Sequence, residues 1–301
     1  WVTGHDDPVA FRLALPKQGD ELQYLGQHTV PFTGQGLAND PVTGGLIGIH
    51  RAQRQVIVAG RKRAPVRLRV LCYNIHHAAG VDGKLDVPRI ARVIQSVKPD
   101  LVALQEVDRN TTRTSKVDQA AELARLTRMN HVFGANIAFQ GGQFGNAILS
   151  RFPITEHRNH LLPNVDAGEQ RGVLAATIQI SKDRSLSLLA THFDHRRPDA
   201  ERLASAKFVN QLTAKQPEIP AIFAGDLNDV PASRTLQEIG RTWTRTNARI
   251  MPTIPVGQPA RQIDYIFVRP KSRWTLVETR VLAEAVASDH RAIFAIIELR
   301  E

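Results

Sequence analysis

Six apolar stretches of this chain end on, or adjoin, residues that can bind a metal ion, hold a phosphate or carry a proton. Val70-Leu71-Cys72-Tyr73 runs into Asn74, and Leu101–Leu104 runs into Gln105-Glu106. Leu186–Ala190 runs into Thr191-His192, and Ala221–Ala224 into Gly225-Asp226-Leu227-Asn228. Asp264 lies in Gln262-Ile263-Asp264-Tyr265-Ile266-Phe267, and Ser288-Asp289-His290 stands just before Ala292–Leu299. Carboxylates are hard oxygen donors for Mg²⁺ or Mn²⁺, and imidazoles stabilise charge and move protons near neutral pH. One polar residue at a strand end is what solvent contact demands. Six that converge make a hydrolytic metal site.

Convergence requires the apolar runs to be strands of packed sheets. Val66–Leu71 alternates before turning apolar, as a half-buried strand does. Asp86 precedes Pro88, Ile90, Ala91, Val93, Ile94 and Val97, which predicts an N-capped amphipathic helix stopping at Pro99. A second helix is expected over Gln119–Met129, with Ala120, Leu123, Ala124 and Leu126 on one face, and helical patterns recur near 199–214 and 233–240. Strand-like segments fall at 145–149, 172–180, 185–191, 219–224, 263–268, 276–282 and 291–299. Many strands and few helices, not strictly alternating, predict an α+β chain with packed sheets rather than a doubly wound parallel sheet. Residues 1–64 differ: Gly- and Pro-rich punctuation surrounds short apolar stretches, which reads as an irregular β-rich extension or small subdomain ahead of a catalytic domain at 65–301.

At 301 residues, 42% hydrophobic and 23% charged, the chain has the composition of a globular protein, not of a disordered, collagenous or coiled-coil one. No apolar run approaches the roughly 20 residues of a membrane-spanning helix. The single cysteine, Cys72, allows no internal disulfide. A net charge of +10 favours polyanionic partners: nucleic acid, anionic lipid head groups or phosphorylated small molecules. The competing reading is a compositional bias toward arginine, because the one dense basic run, Arg61-Lys62-Arg63, is short. The chain opens at Trp1 without Met, read here as a trimmed or processed N-terminus compatible with secretion or cytoplasm. No obligate protein partner is evident.

Taken in order, the Tyr-Asn strand end, Leu-Gln-Glu-Val, Thr-His, Gly-Asp-Leu-Asn, Ile-Asp-Tyr-Ile and Ser-Asp-His resemble the endonuclease/exonuclease/phosphatase superfamily, the deoxyribonuclease I-like phosphoesterases, over residues 66–301. The resemblance implies a four-layered α/β sandwich of two packed mixed β-sheets flanked by helices. It implies Glu106 as principal metal carboxylate, with Asn74 beside it and Asp289 as a further ligand of Mg²⁺ or Mn²⁺. Asp226 would orient or deprotonate the attacking water. His290, against Asp264 or Asp289, would hold the phosphate and stabilise the transition state, and His192 and Asn228 would donate hydrogen bonds to the phosphate or its leaving group. Some relatives acting on DNA lesions carry an acidic residue two positions after the first Asn, where this chain has His76 in Asn74-Ile75-His76-His77, so abasic-site specificity does not carry over.

Three more residues fall where this family places substrate contacts. Arg171 is either a phosphate fork or a surface salt bridge, Asn146 either a ligand contact or a turn-capping amide, and His76, with His77, either a contact to the phosphate or to its ligands or an ordinary loop histidine. A His-His pair also suggests zinc, but without a cysteine nearby and among oxygen-rich ligands the expectation is Mg²⁺ or Mn²⁺. Asp108, Arg109, His195 and Arg197 belong to expected cleft-rim loops, and Trp243 and Trp274 either stack on substrate or pack in a core. Three functions compete: a metal-dependent phosphodiesterase acting on nucleic acid; the same chemistry on a phosphoinositide, a sphingomyelin-like lipid or another small phosphoester; and a binding module without catalysis.

Overall fold

The computed structural model describes residues 1–3, 7–16, 21–33, 36–41, 44–59, 64–165 and 167–300, and the chain divides into two compact units, Trp1–Ala64 and Pro65–Arg300. The basic run Arg61-Lys62-Arg63 lies outside the described residues. The first unit holds two antiparallel three-stranded sheets, β1 (Val2–Thr3), β2 (Val9–Ala14) and β3 (Gln23–Thr29), then β4 (Leu37–Asn39), β5 (Leu46–His50) and β6 (Gln55–Ala59). Its core is thin, centred on Ala10, Val30, Phe32 and Leu46.

The second unit runs β7 (Val66–Asn74), α1 (Val87–Ser96), β8 (Leu101–Arg109), α2 (Gln119–Thr127), β9 (Asn130–Phe139), β10 (Gly142–Ser150), β11 (Ile154–Leu161), β12 (Gly172–Ser181), β13 (Arg184–His192), α3 (Ala200–Ala214), β14 (Ala221–Asp226), α4 (Arg234–Ile239), β15 (Thr244–Arg245), β16 (Asp264–Arg269), β17 (Trp274–Val281) and β18 (Ile293–Leu299). Two six-stranded mixed sheets result, ordered β17-β18-β7-β8-β10-β9 and β11-β12-β13-β14-β16-β15. Each contains one parallel pair, β7/β8 in the first and β13/β14 in the second, and the crossover between the paired strands carries a helix, α1 or α3. Side chains alternate across each sheet. Leu68, Val70, Cys72, Leu188, Ala190, Ile222, Ala224 and Ile266 fill one core between the sheets. The opposite faces pack beneath α1 and α2 (Leu71, Tyr73, Ile90, Leu123) and beneath α3 and α4 (Leu189, Phe223, Val209, Leu236). The fold is therefore α+β, a four-layered sandwich.

Local signals fix the helices. Asp86 accepts from the Arg89 amide at 2.8 Å and Asp118 from that of Ala121 at 3.0 Å, N-caps worth about 1 kcal/mol each. In the second unit β9, β11 and the two-residue β15 escape the sequence patterns; all three lie at sheet edges, and β9 and β11 leave much of their length in solvent. For β9 a signal does exist. The two-residue Gln140-Gly141 connection has φ of 46° and 71°, the doubly left-handed turn that closes a tight hairpin into β10. Trp243 and Trp274 are 3% and 6% exposed and pack in the cores, which removes them as substrate platforms.

Candidate active site

Parallel pairing explains why the polar residues meet. In β7, β13, β14 and β16 the residues facing the inter-sheet core recur every second position, and the same phase continues to Asn74, His192, Asp226 and Asp264. Register then aligns them: His192 stands opposite Asp226, and Asp226 opposite Asp264, in one row across the second sheet. In the first sheet Asn74 stands opposite Gln105. Glu106 departs from this phase because β8 spends three residues, Val107 to Leu104, where β10 spends two, Gly145 to Ala147. This bulge puts Glu106 in the left-handed region, at φ 56°, and re-aims its side chain. Asn74 Nδ2 donates to Glu106 Oε1 at 2.9 Å and to Asp226 Oδ2 at 3.1 Å, so one amide ties the two sheets' carboxylates together.

His290 arrives on the segment before β18. Ser288 Oγ anchors that segment by donating to the Asn74 carbonyl at 2.7 Å and accepting from the His290 amide at 3.2 Å. His290 Nδ1 lies 2.9 Å from Asp264 Oδ2, and its Nε2 lies 3.6 Å from Asp226 Oδ2. Burial works against charge on this ring, but the Asp264 and Asp226 carboxylates outweigh it and keep the imidazole protonated up to about 10. Burial, then repulsion from Asp264, pushes Asp226 up to about 7. Thr253, on a loop without a recognisable motif, donates its hydroxyl to Asp264 Oδ2 and was missed by sequence reasoning.

On the other flank, His192 Nδ1 lies 3.2 Å from Arg171 Nη1, while its Nε2 lies 3.0 Å from Asn228 Nδ2 and 3.4 Å from Asp226 Oδ2. Burial and the adjacent Arg171 cation hold His192 well below the usual imidazole range, so the ring is neutral. Asn228 is fixed by donating to the Phe193 carbonyl at 3.1 Å and by its own amide donating to Asp226 Oδ1 at 2.9 Å. Arg171 is 4% exposed and contacts His192, His195 Nδ1 at 3.2 Å and Glu169 at 2.9 Å. It is neither a surface salt bridge nor a free fork; it braces two imidazoles. Asn146 is buried and donates across the sheets to the Gly172 carbonyl at 3.0 Å, with Oδ1 left without a partner among the described residues.

Two groups of side chains could hold a metal ion, and of the expected ligands Asn74, Glu106 and Asp289 only Glu106 belongs to either. Asp226, Asp264 and His290 form one group of donors within 4.8 Å of one another, and His76, His77 and Glu106 form another. Protonated His290 has no lone pair to give, so the first group suits phosphate and proton handling. Glu106 offers a hard oxygen that fits a divalent ion. Asn74 Oδ1 accepts from the His76 amide at 3.1 Å and has a second lone pair that an ion beside Glu106 could use. Asp289 is half-buried, belongs to neither group, and its Oδ1 lies 3.4 Å from Ser288 Oγ. Among the expected rim residues, Asp108 is fully buried and paired with Arg113 at 2.7 Å, a buttress rather than a reader of substrate. Arg109 bonds Gln143 and lies 4.6 Å from the centre of the Phe133 ring.

Residues 71–290 match the Endonuclease/Exonuclease/phosphatase family. The uncharacterized protein YbhP of Escherichia coli K12 is 28% identical over 253 residues, covering 77% of this chain and 96% of that one. The endonuclease/exonuclease/phosphatase of Beutenbergia cavernae superposes with a TM-score of 0.65 at 27% identity, covering 80% of this chain and 72% of its own. A family protein from Bacteroides thetaiotaomicron gives 0.66 at 19% identity, covering 79% of this chain and 100% of its own.

Proposed function

Because the chain belongs to the endonuclease/exonuclease/phosphatase family, whose members hydrolyse phosphoesters, we propose that it is a divalent-metal-dependent phosphodiesterase that cleaves nucleic acid by attack of water on phosphorus. The observation carrying this reading is the row His192, Asp226, Asp264 with His290 held against its two carboxylates, facing Glu106 and Asn74 of the other sheet. The net charge of +10 supports a polyanionic substrate.

Asp264 keeps His290 protonated, and the Nε2–H of His290 donates to a phosphoryl oxygen and stabilises charge growing there. Asp226, with a proton affinity near neutral, takes the proton of the attacking water. Asn228 supplies a fixed amide donor, and Arg171 holds the neutral His192 in place beside it. Asn74 keeps Glu106 and Asp226 apart and oriented. A Mg²⁺ or Mn²⁺ ion held by Glu106, with Asp289 as a further ligand, would polarise the phosphoryl group.

The test is nicking of supercoiled plasmid by the wild type and by His290→Ala, with Mg²⁺, Mn²⁺ or a chelator, at low and moderate salt. Nicking that requires both the metal and His290, and that salt suppresses, supports the nuclease reading. Absence of nicking, together with phosphate or head-group release from a panel of lipid and small phosphoesters, would replace nucleic acid as substrate and keep the site. Turnover of no phosphoester would revive the binding module.

A further inference from the structure

The segment after β7 carries two adjacent imidazoles that the proposed hydrolysis does not use. His76, His77 and Ala78 all adopt left-handed backbone, with φ of 45°, 43° and 60°, a conformation costing roughly 1–2 kcal/mol per ordinary residue. The loop is held there from several sides. The His76 amide donates to Asn74 Oδ1 at 3.1 Å, and Gln119 Nε2 donates to the His77 carbonyl at 2.7 Å. Gln119 is itself buried and accepts from the Asp108 amide at 2.9 Å through Oε1. The result is a pair of rings with centroids 4.5 Å apart, each placing a nitrogen within 4.8 Å of a Glu106 oxygen and of the other's nitrogen.

The hydrogen bonding of the two rings suits a metal. His76 Nδ1 lies 3.0 Å from the Ala79 carbonyl, which can only accept, so Nδ1 carries the hydrogen and Nε2 is the nitrogen whose lone pair the neutral ring offers to a ligand. A backbone carbonyl on the far nitrogen is the usual way a protein fixes the tautomer of a metal-binding histidine. His77 Nδ1 is buried without a hydrogen-bond partner among the described residues, an expense that a ligand would offset.

We infer that His76, His77 and Glu106 together form a binding site that selects a first-row transition dication over Mg²⁺. Two imidazoles and one carboxylate, with further positions open, are the donor set of catalytic zinc centres. Mg²⁺ prefers oxygen and sheds water reluctantly, whereas imidazole affinity rises along the series from Mn²⁺ toward Cu²⁺ and stays high for Zn²⁺. The inference rests on the metal-dependent reading of this cleft and sharpens it: the ion beside Glu106 is of the Mn²⁺ or Zn²⁺ class, and His76 is a metal ligand rather than a phosphate contact.

The test is calorimetric titration of the metal-free protein with Zn²⁺ at pH 7.5, in the presence of a large excess of Mg²⁺ and without substrate. His76→Asn and His77→Asn are the informative variants, because Asn tolerates the left-handed backbone and each fold can be checked by circular dichroism. His157→Asn, at an exposed position of β11, controls for adventitious surface binding. The expected result is one Zn²⁺ per chain that Mg²⁺ does not displace, weakened at least tenfold in each loop variant and unchanged in the control. Visible absorption of the Co²⁺-loaded protein should change in the same variants. Equal affinity in the wild type and the double variant overturns the site, as does absence of Zn²⁺ binding or its displacement by Mg²⁺. A protein that binds Zn²⁺ as expected and hydrolyses no phosphoester refutes the proposed function and leaves the site standing.

Discussion

Replacing Asp264 by Asn keeps the size of the side chain and removes its charge, and the consequence should be read at His290. With both carboxylates in place the His290 ring stays protonated up to about 10, against an ordinary imidazole value of 6.5. That displacement of about 3.5 units corresponds to roughly 5 kcal/mol favouring the charged ring, at about 1.36 kcal/mol per unit. It is achieved against burial, since His290 is only 7% exposed. Asp264 supplies the larger attraction and the 2.9 Å hydrogen bond, while Asp226 is 3.6 Å from the far nitrogen and remains in the variant. If half or more of the displacement is lost, the ring of Asp264→Asn discharges below about pH 8.5. In the wild type, the rate on a small phosphodiester should rise as Asp226 loses its proton near 7 and hold until His290 discharges near 10. In the variant the alkaline fall should move down by at least 1.5 units, leaving the rate at pH 9 lower by about fourfold or more. The assay is a pH–rate profile from 5 to 10, with the His290 ring followed by nuclear magnetic resonance. An unchanged alkaline limb and an unchanged ring titration would refute the argument that Asp264 charges His290.

Further outcomes follow from the same geometry. His290 has a folded value raised to about 10, so between pH 7 and 8.5 the folded state holds a proton that the unfolded state has lost, and stability should fall with pH by up to about 2 kcal/mol; thermal or urea unfolding should show this slope and its loss in His290→Asn. Arg171→Met should let the His192 titration rise toward its ordinary value and lower kcat more than it raises KM, because Arg171 acts on the substrate through the imidazoles it braces, His192 foremost; a change in KM alone would contradict this. A Cβ at Gly225 would lie 2.3 Å from the Thr191 carbonyl oxygen, so Gly225→Ala should push β13 and β14 apart beside Asp226 and cost about 1–3 kcal/mol along with most of the activity, read by urea unfolding and turnover.

The sequence disclosed the chemistry better than the architecture at its edges. Asn74, His192, Asp226 and Asp264 were legible because each continues the inward phase of an apolar run, and alternation survives in a linear string. Glu106 was legible by type, but the bulge that turns it toward Asn74 depends on a mismatch with β10 that no single strand records. Arg171 was legible as a cation near the cleft, whereas its bracing of two imidazoles arises only when β12 and β13 pair. Asp108 reads as a rim residue because it follows Glu106, and it is buried because Arg113 and Thr111 turn back over it. Thr253 could not be anticipated: it meets Asp264 across a loop whose path is set by tertiary contacts alone.

Two parallel pairs, one in each sheet, deliver the chemistry to a single place, and neither sheet holds enough of it to act alone. Asn74 Nδ2 reaches from the first sheet to Asp226 on the second, so the cleft is a seam between two slabs that share one apolar filling. A sliding of the slabs by an ångström would leave every strand intact and every helix capped while parting the amide from its carboxylates. Turnover therefore serves as a gauge of alignment: heat or denaturant should silence the protein before its circular dichroism changes, and a residue deep in the filling, far from any phosphate, can tune the rate simply by setting how firmly the slabs lock.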